Sequence, residues 1–98
     1  MNLNITINEK KATVKGSLVT LPEYPGFKFF THCLHSGSYR YWHASEFTTG
    51  LKCAETMNPG TKKDVIAKLK AIWDGIGIEG LQKAINAGIE KYGIANPF

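Results

Sequence analysis

Apolar and polar residues alternate along the first 56 positions of the chain, and beyond Thr61 apolar residues recur every three to four positions. A period of two is typical of strands that bury one face, whereas the longer spacing is typical of amphipathic helices. The alternation predicts strands at 3–7, 12–18, 27–34 and 39–46, with a fifth, short strand at 51–56. Because short turns separate these segments, neighbouring strands should pair antiparallel, as a β-meander of four to five strands within residues 2–56.

The second half of the chain predicts helices. Thr61 and Asp64 have the spacing of a capping box, which predicts a helix start at Thr61. Two apolar stripes follow, separated by Gly75; the first comprises Val65, Ile66, Leu69, Ile72 and Trp73, and the second comprises Ile78, Leu81, Ile85, Ile89 and Tyr92. We therefore expect two C-terminal helices within residues 61–93, packed on one face of the sheet, in a single α+β domain that covers residues 1–98.

Composition and charge narrow the choice of partners only slightly. The net charge of +4 permits an acidic or polyanionic partner but is also ordinary for a soluble protein. Two cysteines do not form a disulfide framework in a chain so rich in aliphatic residues, so we expect reduced thiols and a cytoplasmic protein, in the host cytoplasm if a phage encodes it. The N-terminus lacks a basic and apolar signal segment, and no apolar run reaches membrane-spanning length, so no membrane partner is expected.

Cysteines and histidines on the central strands raise the question of a metal or catalytic site. Zinc sites usually take paired ligands from tight knuckles, and here only Cys33 and His35 have close spacing, while His32, His43 and Cys53 do not complete a motif. A nucleophilic cysteine needs a base beside it and a helix N-terminus or glycine-rich turn that presents it, and the sequence contains neither signal. The sequence therefore predicts no metal, no cofactor and no enzymatic activity.

The third and fourth predicted strands carry the strongest candidate binding surface, because cations alternate with aromatic residues there. Lys28, Phe30 and His32 share one side of the third strand, and Arg40 and Trp42 share one side of the fourth. We expect these sides to form one exposed face, although the tyrosine side could be exposed instead, since the sequence leaves open the loop length that sets the hairpin register. Such a face can stack unpaired bases, can anchor a protein partner, or can be covered by a helix or by a second copy of the chain in a homodimer.

The junction between the two halves of the chain resembles a known RNA-binding element. The run Asn58-Pro59-Gly60-Thr61-Lys62-Lys63-Asp64 leads from the predicted meander into a helix. This arrangement resembles the end of a double-stranded-RNA-binding domain, whose last helix begins with paired lysines that hold phosphates. The resemblance implies phosphate contacts by Lys62 and Lys63, and it supports an alternative hypothesis of a nucleic-acid-binding domain.

A second resemblance covers the centre of the chain. The aromatic hairpin 41–51, which contains Ser45-Glu46-Phe47-Thr48-Thr49-Gly50, precedes the helix start Thr61-Lys62-Lys63. This order resembles small phage and mobile-element proteins, anti-CRISPR inhibitors among them. It implies a small non-enzymatic binding protein that sterically blocks a host defence complex, whether protein or nucleoprotein. Arg40 and Trp42 would then anchor the target while lysines steer association. The predicted partner-binding residues are Lys28, Phe30, His32, Arg40, Trp42, Lys52, Lys62 and Lys63.

Overall fold

A computed structural model of the chain describes residues 2–7, 10–36, 39–56 and 61–96, without the side chains of residues 34–36 and 39–40. In this part of the chain six strands precede one helix: β1 (Asn2–Ile7), β2 (Lys10–Lys15), β3 (Ser17–Val19), β4 (Phe29–Ser36), β5 (Tyr39–Glu46), β6 (Lys52–Thr56) and α1 (Lys62–Tyr92). The predicted α+β class with antiparallel strands is confirmed. The predicted hairpin loop at 37–38 and the junction at 58–60 lie outside the described residues.

The strands form two sheets rather than the single meander that the sequence predicts. β1 pairs with β2, and β3, β4, β5 and β6 form a second sheet in that order. The predicted strand 12–18 divides at Gly16, where a Cβ atom would lie 2.7 Å from the carbonyl oxygen of Thr31 and 3.2 Å from Leu3 Cδ1. Glycine alone allows the backbone to pass so close to β4, so the chain leaves the first sheet and joins the second at this residue.

The four-stranded sheet is buried on both faces. One face packs on α1 through Phe29 and Ala44, which contact a core that includes Leu69 and Trp73 of the helix. The opposite face carries a second core beneath the β1–β2 hairpin, formed by Phe30 together with Leu3, Ile5 and Phe47. Successive residues of a strand point to opposite faces, which is why the neighbours Phe29 and Phe30 belong to different cores.

The C-terminal part of the described chain forms one helical element instead of the two predicted helices, and a kink at Gly77 divides this element near the predicted boundary. α1 extends over 31 residues, and its backbone leaves helical geometry at Gly77, where φ is 81° and ψ is 169°. Glycine adopts such a positive φ without steric cost. Trp73 before the break and Leu81 after it both reach the core under the sheet. Ile72 and Ile78 are exposed, contrary to their prediction as members of the apolar stripes.

A buried carboxylate builds the turn between β5 and β6. Glu46 accepts hydrogen bonds from the backbone N–H groups of Thr48 and Thr49, at 2.7 and 2.8 Å, and from the Thr49 hydroxyl at 2.8 Å. In this chain the segment 45–50 therefore has a structural role, because its glutamate satisfies the donors of a tight turn.

Asn96 forms hydrogen bonds that link the β1–β2 hairpin to the turn between β5 and β6. Its side-chain oxygen accepts a hydrogen bond from the N–H of Asn4 at 2.8 Å, and its amide nitrogen donates to the carbonyl oxygens of Asn4 and Phe47, both at 2.8 Å. The N–H of Thr6 also donates to the carbonyl oxygen of Gly50 at 2.9 Å. These bonds hold β1 along the β5–β6 turn, and they set the width of the space between the hairpin and the sheet.

The predicted capping box at the start of α1 is confirmed. The N–H of Asp64 donates to the Thr61 hydroxyl at 3.2 Å, and the N–H of Thr61 donates to the Asp64 carboxylate at 3.0 Å. Both contacts satisfy N–H groups that the first helical turn leaves without intrahelical partners.

Thr61→Ala is expected to lower the free energy of unfolding by about 0.5–2 kcal/mol, because it removes the oxygen that accepts the Asp64 N–H. Chemical denaturation followed by circular dichroism measures this change. Thr61→Ser keeps the hydroxyl and is the matched control, expected within about 0.5 kcal/mol of the wild type. Equal losses in the two variants would contradict a stabilising role for the cap.

Candidate functional site

The lysines predicted to bind a partner belong to three separate segments of the chain. Lys28 is exposed, with its ammonium 5.5 Å from the centre of the Phe47 ring. Lys52 is exposed on β6, while Lys62 and Lys63 occupy the first turn of α1, half-buried and exposed respectively. Lys62 and Lys63 are neighbours on α1, whereas Lys28 and Lys52 come from other segments, so no single element presents all four lysines.

The predicted exposed face of cations and aromatic rings is not formed. Phe30 and His32 are buried, so their predicted exposure is wrong. Trp42 is half-buried and packs against the core under α1, on the face opposite to Phe30, because the register pairs it with Cys33. A shift of register by one residue exchanges the two faces of a strand, which is why the sequence pattern misplaced these rings. The backbone of Arg40 is part of β5, and its side chain is outside the described part of the structure.

Three isoleucines near the helix break at Gly77 are exposed and are here called the isoleucine patch. It consists of Ile72, Ile76 and Ile78, with exposed fractions of 41%, 48% and 51%. A Cβ atom at position 80 would overlap the Cγ2 methyl of Ile76, so Ile76 lies directly against the backbone of Gly80. The patch is therefore an apolar surface built around a sharp change in backbone direction.

Contacts on the N-terminal side of the patch hold the helix in place. The Tyr24 hydroxyl donates to the Asp74 carboxylate at 2.6 Å, and the ammonium of Lys70 lies 2.9 Å from the same carboxylate. Trp73, next to these residues, is buried in the core under the sheet. The helix is therefore anchored at Trp73 and Asp74, between the exposed Ile72 and Ile76.

Sequence reasoning missed this patch because it assigned Ile72 and Ile78 to the buried stripes and gave Ile76 no role. The signal that could have revealed it is the alternation Gly75-Ile76-Gly77-Ile78, in which glycines separate large apolar residues within a helical region. Two glycines so close together weaken a helix, and they favour a break that turns nearby side chains away from the core.

A second candidate site is the space between β1 and the four-stranded sheet, here called the histidine cleft. It has a volume of about 260 Å³, and the residues that line it include Ile5, Thr6, Ile7, His32, His43 and Lys52. The rings of His32 and His43 meet edge to face, with centroids 5.2 Å apart. His32 has an exposed fraction of only 2%, and neither of its ring nitrogens has a hydrogen-bond partner in the described structure.

Charges near the histidine cleft are mutually compensated. The Glu55 carboxylate lies 3.2 Å from Nε2 of His43 and 3.2 Å from the ammonium of Lys52. Burial lowers the pKa of His32 to about 4, with a smaller contribution from His43. Burial also lowers the pKa of His43, and the hydrogen bond from Lys52 lowers the pKa of Glu55. Both imidazoles are therefore neutral at physiological pH, beside a surface ion pair.

Cys53 is not an activated thiol. Its Sγ–H group donates to the carbonyl oxygen of Leu51 at 3.5 Å. Burial, together with the nearby Glu46 carboxylate, raises the pKa of Cys53 to about 12, so the thiol stays protonated at neutral pH. In the described part of the chain no three Cys, His, Asp or Glu side chains are grouped as metal ligands would be.

Comparisons with known proteins give no relative: no protein-family model, no curated protein and no solved structure matches the chain. Among the described residues no helix combines the length and apolar character needed to cross a membrane. The isoleucine patch and the histidine cleft are two candidate sites among the described residues.

Proposed function

We propose that this chain is a small non-enzymatic binding protein that contacts a protein partner through the isoleucine patch. The observation that carries the proposal is the exposure of Ile72, Ile76 and Ile78 within seven residues of one helix. Single exposed apolar residues are common on soluble proteins, but clustered ones mark interaction surfaces. The partner is a protein with an apolar hollow that accepts branched side chains.

The charges near the isoleucine patch indicate which charge the partner's surface carries. The acidic residues of the stretch 71–80 are Asp74, which pairs with Lys70 at 2.9 Å, and Glu79, although the whole chain carries a net charge of +4. An interface becomes selective when opposite charges meet at its rim. The complementary surface therefore has basic groups around its apolar hollow.

The backbone around the patch favours binding with little loss of conformational freedom. Trp73 and Leu81 anchor the helix on both sides of the break, and Ile76 packs on Gly80. A surface already held in its binding geometry loses less entropy on association. This arrangement supports a protein that acts by occupying a partner's surface.

A host defence complex is the target class that we propose, through the resemblance of the segment 41–51 to phage and mobile-element inhibitors. Lys28, Lys52, Lys62 and Lys63 would steer the approach to an acidic or nucleic-acid-bearing complex, and the isoleucine patch would supply the contact that blocks it. The protonated thiol of Cys53 supports a mechanism without covalent chemistry.

A paired variant tests the isoleucine patch. Ile72→Ser/Ile76→Ser is expected to reduce recovery of a stoichiometric partner from bacterial host cells at least about tenfold, because apolar anchors carry most of an interface's energy. Leu18→Ser is the matched control, since Leu18 has an exposed fraction of 46% but lies on β3, away from the helix. Circular dichroism of both variants checks that they are folded.

Undiminished recovery by the double serine variant would refute the role of the patch, as would an equal loss in Leu18→Ser.

A nucleic-acid-binding domain is the alternative function, supported by the exposed lysines of β2, Lys10, Lys11 and Lys15, in addition to Lys62 and Lys63. We expect the purified protein to bind free DNA and RNA no tighter than about 10⁻⁵ M at physiological salt. Submicromolar binding with a steep salt dependence, lost in Lys62→Ala/Lys63→Ala, would favour the alternative.

A further inference from the structure

The histidine cleft has the composition of a small-molecule site. Ile5 and Ile7 of β1 form an apolar wall, and the imidazole rings of His32 and His43 form the wall opposite. Its volume of about 260 Å³ is close to the lower end of the range for ligand pockets, about 300–1,000 Å³. Ile7 is half-exposed at the entrance, so the cleft opens to solvent.

His32 is the polar group in this cleft that lacks a partner. It is almost completely buried, and both Nδ1 and Nε2 are without a hydrogen bond in the described structure. Buried polar atoms in native proteins are nearly always paired, and an exception calls for an explanation such as a functional contact. A neutral imidazole offers one donor and one acceptor, so it can recognise a hydroxyl or an amide.

We propose that the histidine cleft binds a small uncharged molecule with an apolar body and one hydroxyl or amide group, which pairs with His32. The apolar body lies between the isoleucines of β1 and the edge of the His43 ring. This site is separate from the isoleucine patch on α1, so the inference does not rest on the proposed protein partner.

The ligand is uncharged because the charges at the cleft already compensate each other. Lys52 and Glu55 form an ion pair at the rim, and His43 bonds to the same carboxylate. Burial keeps His32 neutral, with His43 and Lys52 as the titratable groups that line the cleft beside it. A charged ligand would give up its hydration shell without meeting an unpaired opposite charge among these residues.

Titration with benzyl alcohol, followed by two-dimensional NMR of the full chain, tests the inference. We expect saturable shifts at the amides of Thr6 and Gly50 and at the ring protons of His32 and His43. Benzoate has a similar ring but carries a negative charge, and it should bind at least about fivefold more weakly, since its carboxylate is desolvated without compensation.

Two variants make the test specific to His32. His32→Leu should weaken benzyl alcohol binding about tenfold, as expected for the loss of one buried hydrogen bond. Ile7→Trp narrows the entrance without changing a buried residue, and it should abolish the shifts even if His32→Leu does not fold. Ile76→Ser, in the isoleucine patch, is the control and should bind as the wild type does.

Three results would overturn the inference: no saturable shifts in the cleft, equal affinity for benzoate and benzyl alcohol, or unchanged binding in Ile7→Trp. A folded His32→Leu variant that binds benzyl alcohol like the wild type would do the same. The protein-partner experiment tests the isoleucine patch on α1, so its failure would leave these outcomes unaffected.

Discussion

Replacing Phe30 by alanine is expected to lower the free energy of unfolding by about 3–5 kcal/mol. Phe30 is fully buried in the core between the hairpin and the sheet, where it packs with Leu3, Ile5 and Phe47. Alanine would lose the transfer free energy of the ring and leave a cavity that the flanking strands fill only partly. Urea denaturation of the two proteins measures the difference.

The size of this effect separates a core residue from a binding residue. Had Phe30 been an exposed ring that stacks on a partner, its truncation would change stability by no more than about 0.5 kcal/mol. Leu18→Ala is the matched control, because Leu18 lies opposite Phe30 in the β3–β4 pairing and is substantially exposed. A loss in Phe30→Ala no larger than that in Leu18→Ala would contradict the burial of Phe30 under the hairpin.

Acidification from pH 7 to pH 4 is expected to cost about 3 kcal/mol of folding stability through His32 alone, since one pKa unit corresponds to about 1.4 kcal/mol. The pKa of His32 falls from 6.5 to about 4 in the folded chain because burial disfavours the charged imidazole. Between these values the unfolded chain binds the proton and the folded chain does not, so unfolding takes up a proton. The contribution of a neutral, buried His32 to folding stability is therefore fully present above pH 6.5, and it is lost as the pH falls through this window.

His32→Phe isolates this contribution, because phenylalanine fills a similar space and does not titrate. Denaturation at several pH values should show the wild type losing about 3 kcal/mol more than His32→Phe between pH 7 and pH 4. His43, whose pKa is also lowered by burial, adds a loss of the same sign in both proteins. Glu55 and Asp74 have lowered pKa values, so their contributions are lost at more acidic pH. Parallel pH profiles of the two proteins would refute the burial of a neutral His32.

Local signals predicted those elements whose determinants lie within a few residues. The limits of β5 and the capping box at Thr61 agree with the sequence prediction, because alternation and the Thr61/Asp64 spacing are local properties. The division of the predicted second strand at Gly16 was missed, since the need for glycine arises from the approach of Thr31. The two predicted helices form one element, α1, and a kink divides it at Gly77 rather than at Gly75.

The candidate sites depended on tertiary contacts far more than the elements did. His32 was predicted as part of an exposed face, and the structure instead places it against β1 in a cleft with His43. Ile72 and Ile78 have helical spacing typical of a buried stripe, yet both are exposed in the folded chain. In each case the residue type was informative, but its environment came from segments distant in sequence.

The amino-acid sequence by itself determined the α+β class, the antiparallel order of the central strands and the start of the helix. Hydrophobic periodicity and capping chemistry act between neighbouring residues, so they can be recognised without the fold. The tertiary structure alone decided which sheet face is covered by α1, which is covered by the hairpin, and where apolar and unpaired polar groups remain. These outcomes depend on the β4–β5 register and on the docking of β1, because a shift of one residue in either exchanges buried and exposed side chains.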